Sequence, residues 1–369
     1  EVVADGSFVV IDRATGVRSG PHNVLVDDGD RGDEYTYSYA GPTVGSTGVG
    51  GTRRTSARGD RAAVAVEYVL ALPEGLRDDR LARSPATVPC VVRAEISLDA
   101  GARRVDVRLT VDSRARDHRL RVLCETGTRS LTHIAGAAFA WLDRDTRVSG
   151  RWGGVEQPTA ERCGHDLVGL DGALVVGMDG LREYAALHDG RTIAITLVRA
   201  VGWLSRGDLP ERRGHAGPAL GTPTAQCIGE RDYRYCVVPQ FGGMSLALAA
   251  REVREFLSPA RIVTGDGTAR TFVAIDRASP LQLSALRSGP EGSIVLRMFA
   301  PRGETAESEV RFASPVRDVR SVDLREGETG LGNTGLDVIR TAAPPEIVGG
   351  ALRVRLAPDE IGTFHVMLA

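Results

Sequence analysis

Stretches in which apolar and polar side chains alternate one by one restrict this chain more than any other feature. They recur at Ala62 to Leu70, Val91 to Leu98, Val105 to Val111 and Leu120 to Glu125. A period of two places every second side chain on one face, which is the pattern of a half-buried antiparallel strand. Between the runs lie Asp5-Gly6, Asp171-Gly172, Asp179-Gly180, Asp189-Gly190 and Asp266-Gly267, dipeptides suited to tight hairpin turns. One stretch reads as helix: Ser245 to Leu257 gathers Leu246, Leu248, Ala249, Val253, Phe256 and Leu257 largely on one side, then stops at Ser258-Pro259. The expected class is all-β. No repeat of blade length appears, so stacked sheets fit better than a propeller.

The 369 residues are enough for two or three packed units. A polar turn at Arg287-Ser288-Gly289-Pro290-Glu291-Gly292 marks the expected boundary. It divides the chain into 1–287, a large sandwich, and 288–369, a small terminal one built from Ser293 to Ala300, Val310 to Phe312, Val319 to Leu324, Ala351 to Leu356 and Thr363 to Leu368.

With 46 basic against 48 acidic residues spread along its length, the chain has no field that would gather polyanions, so no nucleic-acid partner is expected. Every basic residue is arginine. The 5 cysteines are odd in number and never form a C-x-x-C pair, which speaks against a disulfide framework or a thiolate zinc site; they read as small buried hydrophobes. No apolar run reaches the roughly 18 residues of a membrane span and no signal peptide opens the chain, so the expectation is a soluble, cytoplasmic protein without a membrane partner. The chain begins at Glu1 and is strand-like by Phe8 to Ile11, which suggests a piece of a longer protein.

Catalytic signatures are missing. The 7 histidines form no H-E-x-x-H or Cys/His cluster, and there is no G-x-S-x-G, P-loop or post-strand G-x-G-x-x-G. Two polar segments stand out instead. Asp27-Asp28-Gly29-Asp30-Arg31-Gly32-Asp33-Glu34-Tyr35-Thr36-Tyr37 reads as a solvated acidic loop or a low-specificity cation site, with spacing unlike an EF-hand. The segment from Arg199 through Trp203, Arg206, Asp208, Pro210 and His215 to Pro218 follows an apolar strand, Thr192 to Val198. Long structured loops of this kind often bind ligands, although Trp203 packed on the sheet and prolines that stiffen a turn explain it equally well.

Together these segments resemble glycoside hydrolase family 38, the α-mannosidases, in the C-terminal portion of its bacterial members. The marks are Val9-Val10-Ile11-Asp12-Arg13-Ala14-Thr15-Gly16 followed by Asp28 to Tyr37, then Asp179-Gly180-Leu181-Arg182-Glu183-Tyr184, and Leu197 to Pro218. Further on come Ala249 to Pro259, Leu283-Ser284-Ala285-Leu286 and Val295-Leu296-Arg297-Met298-Phe299. Their order and spacing match along essentially the whole chain.

The resemblance implies a galactose-mutarotase-like β-supersandwich followed by a small β-sandwich. It also implies a parent enzyme that retains configuration and holds zinc through two His and two Asp of an N-terminal catalytic region outside this chain. On that reading the chain holds no metal and none of the catalytic residues, and its partners are an α-mannoside and its own catalytic domain. Oligomers through the β domains are common in the family, so self-association is left open. The family's β portion lends the sugar pocket a tyrosine and an arginine, which the resemblance carries to Tyr35 and Arg199. Both donate hydrogen bonds to hydroxyls without acting as nucleophiles. Asp30, Asp33 and Glu34 of the same loop complete the expected substrate-binding set.

Two alternatives remain open on the sequence. A stand-alone carbohydrate-binding module would want a strip of exposed aromatics, yet the 3 Trp, 7 Tyr and 8 Phe do not cluster along the sequence. A mutarotase-like epimerase would need a His acid and a Glu base, for which His165 or His215 with Glu156 or Glu183 are the candidates.

Overall fold

The computed structural model describes residues 1–148, 154–260, 271–326 and 342–369. Two compact units emerge: Glu1–Ala135 with Asp143–Ser258, and Gly136–Leu142 with Pro259–Ala369.

The first unit holds two large antiparallel sheets. In one, strands run in the order Phe8–Ile11, Arg18–Asp30, His118–Glu125, Thr192–Ala200, Glu183–Leu187 and Glu161–Cys163, with Tyr39–Gly45 also paired to Arg18–Asp30. The other has nine strands, with Arg61–Pro73, Thr87–Asp99, Val105–Ser113 and Gly229–Pro239 side by side and Thr52–Arg58 at one end. Alternation predicts these strands well: Val105–Ser113 buries Val105, Val107, Leu109 and Val111, and its odd-numbered residues face inward. Leu25, Leu120, Val122, Ile193 and Ile195 of the first sheet share one core with Val66, Leu70, Val92, Leu109, Val176 and Val237 of the second. Each such side chain contributes roughly 1.5–3 kcal/mol by leaving water, which is what holds two sheets face to face.

The terminal strand Thr52–Arg58 is exposed throughout, pairs among the described residues only with Arg61–Pro73, and carries Arg53, Arg54 and Arg58. At the turns, Gly6, Gly172, Gly180 and Gly190 all adopt the left-handed conformation expected of Asp-Gly pairs. The Asp266-Gly267 turn lies outside the described residues.

The helix forms where its pattern predicts, at Leu246–Leu257. Ser245 caps it by accepting from the Leu248 N–H, which satisfies one of the orphan donors of the first turn. Val253 packs on Gly177, where a Cβ would come within 2.8 Å of Val253 Cγ1 and 2.7 Å of Cys236 Sγ. The glycine there allows the helix and the strand to approach this closely.

The second unit stacks two four-stranded sheets, Val273–Ile275, Ala306–Phe312, Ala351–Leu356 and Glu346–Val348 in one, and Gln282–Ser288, Ile294–Phe299, Ile361–Leu368 and Val316–Val322 in the other. Leu296, Met298, Val310, Leu352, Val354, Phe364 and Val366 fill its core. The compact units divide between Ser258 and Pro259, whereas the sequence reading draws the boundary after 287. The polar turn at 287–292 joins two strands of one hairpin, Gln282–Ser288 and Ile294–Phe299, and Leu283 and Leu286 pack on the second core.

The all-β class stands. Cysteine burial holds for Cys90, Cys124 and Cys236, but Cys163 is exposed and Cys227 intermediate; all five are free thiols. Among the described residues no helix is long and apolar enough to cross a membrane.

Candidate functional site

The acidic loop and the long polar loop, far apart in sequence, are stitched together at the end of one sheet. Strand Arg18–Asp30 delivers Asp30 to that end, and strand Thr192–Ala200 delivers Arg199, with His118–Glu125 between them. Gly29 permits the close approach of the returning chain, because a Cβ there would lie 2.5 Å from the Ala40 carbonyl oxygen and 2.8 Å from Arg83 Cγ. Arg199 reaches over the intervening strand. Its Nε donates to Asp30 Oδ2 at 2.9 Å and its Nη2 to the Asp33 carbonyl at 2.7 Å.

Asp30 and Asp33 are both fully buried. Asp30 Oδ1 accepts from the backbone N–H of Gly32 (2.9 Å) and Ser38 (3.1 Å). Asp33 Oδ1 accepts from the N–H of Tyr35 (3.0 Å) and Thr36 (2.9 Å), while Oδ2 accepts from Arg206 N–H at 2.7 Å and from Arg212 Nη2. Burial raises the pKa of Asp30 above the usual carboxylate range despite Arg199. At Asp33 burial pushes the same way, but the hydrogen bonds from Arg212, Arg206 N–H and Thr36 N–H outweigh it and the pKa is lowered.

Arg212 is the residue that sequence reasoning did not single out. It is among the largest fully buried side chains, and Glu34 N–H to Trp203 O (3.1 Å) ties the same two loops a second time. Its partner Asp33 lies 179 residues away, and no local pattern signals such a pairing. The only available hint was an arginine set among Gly and Pro in the loop already marked as unusual.

Of the expected substrate-binding residues, Tyr35 and Glu34 are exposed, Tyr35 by 55%. Asp30, Asp33 and most of Arg199 face into the loop framework. Trp203, 36% exposed, stands beside them with the Arg206 guanidinium 5.4 Å from its ring. Tyr37 lies deeper, with the Arg119 guanidinium 3.3 Å over its ring, and burial raises its phenol pKa well above the ordinary value. Arg119 also donates to Glu161 Oε1 at 2.5 Å, and Arg121 to Asp28 Oδ2 at 2.9 Å.

A Ser-His-Asp chain does occur in the fold. His118 Nδ1 is 2.5 Å from Asp27 Oδ2 and its Nε2 is 3.4 Å from Ser113 Oγ, with Arg83 also paired to Asp27. All four side chains are buried, so substrate has no access and the chain reads as core structure. Among the described residues no group of three or more His, Cys, Asp or Glu could hold a metal. Among the described residues no hydrogen bond links His165, His215, Glu156 and Glu183, the epimerase candidates, to one another; Glu183 instead accepts from Thr196 Oγ1 at 2.6 Å.

Known proteins place this architecture. No family model matches the chain. A curated relative from Halalkalibacterium halodurans, named "Putative mannosylglycerate hydrolase", is 25% identical over 375 aligned positions that take in 93% of this chain and 39% of the relative. An alpha-mannosidase from Enterococcus faecalis V583 superposes with a TM-score of 0.78 at 21% identity, covering 100% of this chain and 41% of that one. A second solved structure from Enterococcus faecalis, described as a protein in the Glycosyl Hydrolase Family 38, gives a TM-score of 0.77 at 19% identity over 100% of this chain and 42% of its own. The chain thus spans about two fifths of the relatives it matches. From end to end it has the fold of the β-rich C-terminal portion of glycoside hydrolase family 38 α-mannosidases, the family its sequence resembles.

Proposed function

We propose that this chain is the C-terminal accessory part of a retaining, zinc-dependent α-mannosidase, completing the sugar pocket and supporting a catalytic domain encoded outside it. The observation that carries this reading is the whole-chain likeness to a portion, and only a portion, of much longer glycosidases. In this reading Tyr35 and Glu34, the exposed members of the stitched loops, meet the sugar, with the phenol donating to a hydroxyl. Arg199 contributes whatever its third nitrogen can reach, while its other two, with Asp30 and Asp33, hold the loop in shape. Zinc and the nucleophile belong to the catalytic part, and the fragment alone is inactive. The same reading has the protein act on an α-mannoside in the cytoplasm, with a mannosylglycerate among the substrates to try first.

The test is hydrolysis of p-nitrophenyl α-mannoside with added zinc, comparing these 369 residues with the whole protein from the same reading frame. Turnover by the whole protein alone, weakened by Tyr35→Phe with folding intact, is the expected result. Turnover by the fragment would place a catalytic site within it, and accelerated anomer interconversion by the fragment in a polarimeter would favour the epimerase instead.

A further inference from the structure

We infer that the Asp33–Arg212 pair is a clasp that sets the place of the Tyr35 side chain, which makes Arg212 a positioning residue of this site. The effect on activity rests on the reading of Tyr35 as a sugar contact; the placement itself does not.

The case begins with donor accounting. Arg212 Nε donates to Gly214 O at 3.2 Å, Nη1 to Asp33 Oδ1 at 3.2 Å and Thr36 Oγ1 at 2.5 Å, and Nη2 to Asp33 Oδ2 and to Arg206 O at 2.8 Å. All three nitrogens are engaged and the side chain is buried, so this guanidinium acts through its neighbours rather than on a ligand. Its partner is the carboxylate whose Oδ1 also accepts from Tyr35 N–H and Thr36 N–H. The backbone under the tyrosine is therefore held by the same oxygen that the arginine holds.

The surface on which the ring lies comes from the same source. Among the described residues no hydrogen bond fixes the Tyr35 phenol. The ring rests instead against Gly217, where a Cβ would be 3.1 Å from the phenol oxygen, with the Arg212 guanidinium carbon 6.0 Å from its centroid. Gly217 N–H and Ala216 N–H both donate to Ser205 Oγ, at 3.2 and 3.0 Å, and Arg212 Nη2 lies 3.5 Å from that oxygen. An exposed aromatic side chain is thus located by a buried ion pair from below and by a backbone wall from the side. A lysine keeps the charge but not the planar fork that serves all these acceptors at once.

The experiment labels the whole protein containing this chain with 3-fluorotyrosine and follows the Tyr35 resonance by fluorine NMR, assigned by its absence in Tyr35→Phe. Arg212→Lys should shift or broaden that resonance while leaving other tyrosines in place, and the milder Thr36→Val should do so to a smaller extent. With p-nitrophenyl α-mannoside, KM should rise roughly ten-fold in Arg212→Lys, and adding that change to Tyr35→Ala should alter KM by less than about two-fold, because the two act as one unit. A Tyr35 resonance unmoved in both variants overturns the inference, as does a KM effect that multiplies with that of Tyr35→Ala. A moved resonance in a protein without α-mannosidase activity upholds the positioning role and sinks the mannosidase reading alone. Should Arg212→Lys fail to fold, Thr36→Val carries the same readouts.

Discussion

Arg212 and Asp33 meet as a buried ion pair between two loops, 1% and 0% exposed and 179 residues apart in the chain. The pair joins two loops that Arg199, Arg206 N–H and Glu34 N–H also tie together. Removing the charge of one member leaves the other buried without compensation, which typically costs about 3–5 kcal/mol. Asp33→Asn should therefore lower unfolding stability by that order in urea denaturation followed by circular dichroism. A loss below about 1 kcal/mol would mean that the pair is solvated in practice and contributes like a surface bridge.

Gly32 has no room for a side chain, since a Cβ would collide with the Thr36 carbonyl oxygen and lie 2.8 Å from Asp30 Oδ1. Gly32→Ala should cost about 1–3 kcal/mol by forcing the backbone of the acidic loop apart. The same substitution at Gly48, where nothing lies within 4 Å but φ is +81°, tests turn strain alone and should cost about 1–2 kcal/mol. Equal losses at both sites would show that crowding at Gly32 is not the cause.

Acid sensitivity should trace to two buried histidines. Burial lowers the pKa of His22 to about 4, and burial followed by the nearby Arg144 and Arg162 charges lowers His133 to about 4. The unfolded chain takes up protons at these rings near pH 6.5, whereas the folded chain resists until about 4. The unfolded state thus binds more protons in that window, and stability must fall as pH drops from 6.5 toward 4. The melting temperature should decline across this range, and replacing both histidines with glutamine should flatten the decline. A slope unchanged in the double variant would assign acid sensitivity to the carboxylates.

Thiol reactivity should separate the cysteines. Burial pushes the thiols of Cys90 and Cys124 up to about 12 and raises Cys236 further, so none of these offers thiolate at neutral pH. Cys163 is exposed. Titration of the native protein with Ellman's reagent should show one fast thiol that disappears in Cys163→Ser, with the buried three reacting only after denaturation. Fast reaction persisting in Cys163→Ser would point to Cys227, the half-buried one.

Much of the architecture was legible because alternation reports which face of a strand is buried, and that preference survives into the folded sheets, as in Val105–Ser113. The helix was legible for a similar local reason: Ser245, the apolar stripe and Pro259 all lie within one stretch of chain. The division into units was harder to read. A hairpin turn and a linker share one composition, and only the pairing of Leu286 with Leu296 reveals that 287–292 is the former. The site was half legible. Both loops stood out as unusual, but an acidic loop in isolation reads as solvated, and it is Arg199 and Arg212, arriving from more than 160 residues away, that turn Asp30 and Asp33 into buried anchors. Local pattern carries no information about such partners.

The guanidinium row on Thr52–Arg58 bears on how the molecule behaves in company. A sheet of nine strands that ended in an uncharged ribbon would offer its unpaired amides and carbonyls to any neighbouring copy, and crowded solutions would knit such ends together. With Arg53, Arg54 and Arg58 on that ribbon, an antiparallel copy laid alongside would bring like charges together before hydrogen bonds could form. Guanidinium charge at this border therefore counts against pairing of two copies through this one strand.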